Sequence, residues 1–198
     1  MFIVNVIART RTSSQRGNLP QPHSRAASQN RKHRPSMTIT FVDAWRKNDP
    51  KHAADAIAFW TEHELLNADT PAAERAKQIA VLAYDGNKVV AVSTLNVRPF
   101  EQLRQKFAFL REAVAPEYRL HSLARSLSGE TRKVIEAFAI AHPDELIAGM
   151  ASVYQAKGIG KKPIGSVSRM ALIGYTSANE QVRVGWFEHF RIPGNMMD

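Results

Sequence analysis

The sequence predicts a mixed α/β domain: a mostly antiparallel sheet, flanked by helices, around one central parallel strand pair. Three observations predict it. An apolar run at 106–114 (KFAFLREAV) and another at 145–154 (ELIAGMASVY) are separated by a long amphipathic pattern. A helix between two strands is the crossover that makes such strands parallel. Two β-rich runs, 79–84 and 88–97, flank Asp85-Gly86-Asn87, and two more, 170–176 and 180–190, flank Ser177-Ala178-Asn179. Both arrangements read as hairpins, which are antiparallel.

Taken in order, Thr38–Val42 (TITFV) alternates and is β-branched, as a first strand should be. Asp49 is placed to cap a helix with Pro50 at its first position; the pattern continues to Leu66 with Ala53, Ile57, Trp60 and Glu64/Leu65 as the buried stripe. His52 and His63 lie on that helix, eleven residues apart. That is about 16 Å along the axis, too far for one metal ion, so both read as solvated histidines. Asp69-Thr70-Pro71 opens a short second helix through PAAERAKQ. The strand at 88–97 is expected to break at Arg98-Pro99, with FEQLRQ bridging to Lys106. The strand at 106–114 is mostly apolar on both faces, as inside a sheet. A turn through Pro116 leads to a helix from about Arg119 to Ile140, with Leu120, Leu123, Leu127, Thr131, Val134 and Phe138 on one side. His142-Pro143-Asp144 turns the chain into the next strand. Gly158-Ile159-Gly160-Lys161-Lys162 lacks the full phosphate-loop pattern and reads as a mobile rim loop. Val182, Val184 and Trp186 alternate with Arg183, Gly185 and Phe187, a pattern of core and edge.

Charge divides the chain. The formal net charge is +9, yet residues 1–36 hold seven of the 27 basic side chains and none of the 18 acidic ones. The other 162 residues carry 20 basic against 18 acidic groups, a net of +2. The high pI therefore belongs to a tail, and a basic nucleic-acid face on the domain is not indicated. Residues 1–36 read as a disordered basic N-terminal extension, rich in Arg, Ser, Gln and Pro. Three readings stand: a targeting presequence, an arm that touches nucleic acid or an acidic surface, or a true start at Met37. With no cysteine, there is no disulfide framework, thiolate zinc site or cysteine nucleophile. No apolar run approaches the roughly 18 residues of a membrane span.

Chemistry concentrates where the central strand meets its helix. Arg119, His121, Ser122 and Arg125 surround a helix start, whose free N–H groups and dipole suit an anion; Ser122 acting only as a cap is the alternative. Arg111 and Glu112 point to opposite faces of the strand. Glu112 can take a proton from an amine, directly or through water, or both residues can form cross-strand ion pairs. On the next strand Gly149 and Ala151 are small enough to let a cofactor arm lie close to backbone. Ser152 and Tyr154 share the other face. Tyr154 is the candidate general acid, with Tyr175 a second choice and ordinary aromatic packing the alternative.

Val114-x-Pro116-x-x-Arg119-x-x-Ser122-x-Ala124 resembles the acyl-CoA signature of the GNAT superfamily of N-acyltransferases, with Ser122 where that pattern usually has Gly. The order of elements over Met37–Pro193 resembles the GNAT fold as well. The resemblance implies a single acyl-CoA N-acyltransferase-like domain at 37–198, using acetyl-CoA or another acyl-CoA as co-substrate. It implies that a backbone N–H at the strand end, near Ala113 or Val114, holds the thioester oxygen. Arg119, Leu120, His121, Ser122, Leu123 and Ala124 would hold the pyrophosphate. Asn179 is not followed at the expected distance by the Tyr that often protonates the leaving thiolate in that family; Trp186 and Phe187 come instead. The expected acceptor is a small-molecule or peptide amine, with no metal, no membrane, and nucleic acid only through the tail. The expected compartment is the cytoplasm, and a homodimer is left open. The alternatives are a binding protein of the same fold that has lost catalysis, and a nucleic-acid-associated protein acting through its basic tail.

Overall fold

The computed structural model describes residues 38–66, 71–154, 164–165 and 169–192. The basic extension at 1–36, the helix start at Asp69-Thr70 and the Gly158–Lys162 loop lie outside the described residues.

Eight strands form one sheet among the described residues: β1 (Ile39–Asp43), β2 (Ile79–Asp85), β3 (Lys88–Phe100), β4 (Gln105–Val114), β5 (Ile147–Tyr154), β6 (Ile164–Gly165), β7 (Met170–Tyr175) and β8 (Gln181–Trp186). Their spatial order is β1-β2-β3-β4-β5-β8-β7-β6. β4 and β5 run parallel, and every other neighbouring pair is antiparallel. Among the described residues, three helices accompany this sheet: α1 (Pro50–Glu62), α2 (Ala72–Ala76) and α3 (Leu123–Ala141). None is long and apolar enough to cross a membrane.

Local chemistry accounts for most boundaries. Asp49 caps α1, accepting from the Lys51 N–H at 2.8 Å, with Pro50 at the first position. α1 stops at Glu62 rather than at Leu66. Glu64 takes the left-handed conformation (φ 53°), the Leu65 N–H returns to the Trp60 carbonyl, and the Glu64 N–H returns to Thr61. This terminator usually carries Gly, so nothing in the residue types announced it. The buried positions of α1 are Ala56, Phe59 and Trp60; Trp60 belongs to the expected stripe, and the buried face as a whole is turned from it by about a quarter turn. Gly86 (φ 60°) and Asn87 make the two-residue turn between β2 and β3.

β3 does not break at Arg98-Pro99. It continues to Phe100 and pairs with β4 throughout, Pro99 opposite Lys106. β2 pairs with β3 only as far as Thr94, so beyond that point β3 has one neighbour on one side. Proline is tolerated where no partner needs its N–H. A four-residue loop, ending on left-handed Arg104 (φ 51°), leads straight into β4.

The helix after β4 begins later than expected. A 3-10 turn spans Pro116–His121, Ser122 is left-handed (φ 55°), and α3 starts at Leu123. Its buried line is Leu123, Leu127, Thr131, Ile135 and Ala139, every fourth residue. β5 likewise starts at Ile147, after a 3-10 turn over Pro143–Glu145.

The core has two sides. α1 and α2 cover one face, where Phe59 and Trp60 meet Leu82, Tyr84, Val92 and Ala113. α3 covers the other, where Leu123 and Leu127 meet Val81, Ala83 and Val90, and Ile135 meets Leu95, Leu110 and Met150. A buried hydroxyl pair, Ser93 Oγ and Thr131 Oγ1 at 2.6 Å, ties α3 to β3.

Candidate functional site

Register places the site. β4 and β5 pair from Lys106↔Ile147 to Leu110↔Ser152 and no further. Beyond that point Arg111–Val114 stay with β3, while Val153 and Tyr154 stay with β8. The two parallel strands therefore part, each held by its outer neighbour, and the gap opens toward the segment that starts α3.

Glu112 and Tyr154 each stand two residues past the last pair, on the α3 face of opposite walls of the gap. Glu112 is enclosed between β4 and α3. Loss of solvent pushes its carboxyl up to about 7, although the Ser128 hydroxyl, 2.9 and 2.8 Å from its two oxygens, pulls the other way. Its partner is thus a hydroxyl and not a cation, which corrects the expected cross-strand ion pair. Tyr154 lies under the Arg183 guanidinium, 5.4 Å from the ring centroid, with its hydroxyl 3.9 Å from Met170 Sδ.

The segment expected to receive an anion is built only partly as predicted. Arg119 turns back, and its Nε donates to the Val114 carbonyl at 3.2 Å. Ser122 does not cap α3 with its side chain; it supplies the left-handed turn instead, the conformation that favours the Gly of the family pattern. Leu123 is buried in the core; Ala124 is exposed. Leu120 and His121 belong to the 3-10 turn, and their side chains lie outside the described residues. Ala113 and Val114 end β4, on the wall of the gap.

The smallness of Gly149 serves the sheet rather than a cofactor arm. A Cβ there would sit 2.2 Å from the Gly185 carbonyl oxygen of β8, and Ala151 is fully buried. These two positions therefore correct the expectation that they leave room for a ligand.

The opposite face carries what the sequence reading missed. A cleft of about 650 Å³ opens there between the β3–β4 hairpin and the β7–β8 turn, lined by Arg98, Phe100, Phe109, Val153, Tyr175 and Val182 among others. Phe109 and Val153 border the point where β4 and β5 part, so the cleft reaches the gap from the side away from α3. Arg98, read from sequence only as part of a strand break, lies flat on Phe109 with its guanidinium carbon 3.6 Å from the ring centroid. Its alternation with Asn96 along an unbroken strand was the signal available. Tyr175, exposed, lines this cleft.

No family sequence model matches the chain, and no curated protein matches its sequence. Solved structures do match its fold. A GNAT-family acetyltransferase from Streptococcus pneumoniae is 13% identical, with a TM-score of 0.51 over 76% of this chain and 100% of that one. A bacterial toxin is 12% identical, with a TM-score of 0.52 over 78% and 93%. A ribosomal-protein-S5-alanine acetyltransferase from Vibrio fischeri is 10% identical, with a TM-score of 0.50 over 78% and 94%.

Proposed function

Since the chain has the fold of the GNAT acetyltransferases, we propose that it is an acyl-CoA-dependent N-acyltransferase, moving an acyl group, most simply acetyl, from CoA to an amine. The observation that carries this reading is the parting of β4 from β5 beyond Leu110 and Ser152. Strands that stay paired leave no room for a thioester arm, and the parting here, with a helix start at one end and a cleft on the far face, supports the reading.

In this reading acyl-CoA is the co-substrate. Its pyrophosphate lies against the first turn of α3, on the N–H groups of Leu123 and Ala124, with Arg119 and the backbone of Leu120, His121 and Ser122 around it. The thioester reaches the gap, where the Val114 N–H, on the edge of β4 turned away from β3, steadies the oxyanion as the amine attacks. Glu112 takes the amine's proton: a carboxyl with its pKa near 7 is half ionised at neutral pH, the balance a general base needs. Tyr154, on the opposite wall, protonates the leaving thiolate. The acceptor amine enters by the cleft on the other face.

The test is titration of the purified protein with acetyl-CoA, followed by thiol release across a panel of amines. Saturable binding with release is expected. Absence of binding would overturn the reading, and binding without release on any amine would mark an acyl-CoA-binding protein that has lost catalysis.

A further inference from the structure

Resting on that reading, we propose that the acceptor amine itself carries an anionic group, a carboxylate or a phosphate, received by Arg111 with Arg98 and Arg75 beside it. On the face away from α3, β4 presents Phe109 and then Arg111. Arg98 reaches over Phe109 from β3, 3.6 Å from the ring centroid, and lines the cleft. Arg75 comes from α2. It is 8% exposed, lies over the Trp60 ring at 4.8 Å, and donates Nη1 to the Leu65 carbonyl at 2.8 Å.

These three guanidiniums are close enough to feel one another. Burial lowers the pKa of each, and the charge of Arg111 lowers those of Arg75 and Arg98 further; Arg75 falls to about 10. Arg111 is partly buried and makes no hydrogen bond or ion pair among the described residues. The Nε of Arg75 is buried and also has no acceptor among them. Glu112, the next residue, faces the other way, and the carboxylates lining the cleft, Glu101 and Glu180, belong to its turns.

A half-buried cation beside two others is unfavourable until an anion joins it. The planar guanidinium fork matches a carboxylate or phosphate in two parallel hydrogen bonds. A strand holds Arg111 in place, and aromatic rings hold Arg98 and Arg75, so the site is organised before the ligand arrives. The cofactor's phosphates belong at the start of α3, on the other face, and do not compete for these groups.

The experiment uses the full chain saturated with CoA, so that the α3 start is filled, and the Arg111→Gln variant with its fold checked by circular dichroism. N-acetylglycine and inorganic phosphate are titrated separately by calorimetry. Thiol release from acetyl-CoA is then compared for glycine against glycinamide and for phosphoethanolamine against ethanolamine. The wild type is expected to bind one of the two anions and to prefer the matching charged amine. Arg111→Gln should lower that preference in kcat/KM by about 10–100-fold, the loss expected for hydrogen bonds to a charged group. Binding of N-acetylglycine alone identifies a carboxylate, and binding of phosphate alone a phosphate. Equal use of charged and neutral amines, or a preference that survives Arg111→Gln, would overturn the proposal, as would failure of the wild type to bind either anion. Anion binding that depends on Arg111, with no turnover on any amine, would sink the transferase reading and leave the anion site standing.

Discussion

Glu112 concentrates two consequences in one carboxyl. Its pKa of about 7, against 4.5 for an ordinary Glu, means that the folded state holds a proton the unfolded chain has released between those values. Stability therefore falls as pH rises from about 4.5 to 7, and the full cost, about 3 kcal/mol at most, is present above pH 7. Glu112→Gln keeps a hydrogen-bonding partner for Ser128 and cannot ionise. It is expected to be more stable than the wild type at pH 8 and equal to it near pH 4, read as urea midpoints. If Glu112 is also the base, thiol release in the wild type rises through about pH 7, and the same variant loses about 10²–10⁴-fold. A purely structural Glu112 would move the first measurement and not the second. Ser122 is a conformational case: at φ 55° a β-branched residue is strained, so Ser122→Val should cost about 1–3 kcal/mol, with Ser122→Gly close to neutral.

At the scale of elements, the central unit of strand, helix and strand was legible because its signals are long and repetitive. β4 has an apolar run at Phe107–Leu110 and again at Ala113-Val114, α3 repeats its buried face over five turns, and a helix joining two strands leaves little freedom of direction. Starts and stops were less legible. Arg104, Ser122 and Leu146 take left-handed conformations usually given to Gly, and Glu64 ends α1 the same way. Their residue types carry no such signal; all four side chains are exposed, and Glu64, Arg104 and Leu146 are tied by turn hydrogen bonds to Thr61, Glu101 and Pro143. Pro99 misled for a related reason, because its cost depends on which neighbour its position has. Gly149 shows how contact between elements decides the use of a residue. With the β8 backbone where its Cβ would be, Gly149→Ala forces β5 and β8 apart, for an expected loss of about 1–3 kcal/mol or more in denaturant titration. A glycine kept for a cofactor arm would instead tolerate Ala in the unliganded protein and lose acyl-CoA affinity.

Over the whole molecule, charge and shape have separate origins. The excess positive charge lies in residues 1–36, while the domain built from β1 onward is nearly balanced. Retention on heparin or DNA at low salt is expected for the full chain and not for residues 37–198, and to weaken steeply with added salt. Retention by the shorter chain would place the binding on the domain. Acyl-CoA binding should also register globally: a ligand at 100 times its Kd adds about 2.7 kcal/mol to unfolding, visible as a rise in Tm.

Periodicity and spacing carried the sheet's direction, the parallel pair and both hairpins, because alternation and 3.6-residue repeats act within a few residues of chain. Distance in sequence hid the rest. Arg75, Arg98 and Arg111 come from α2, β3 and β4, and nothing in their local patterns says that they share a face. Pairing register and helix packing bring them together, and the same register unzips β4 from β5 at one particular rung. Forces summed over many long-range contacts set that assembly, and they have no local signature for a reader of the chain to find.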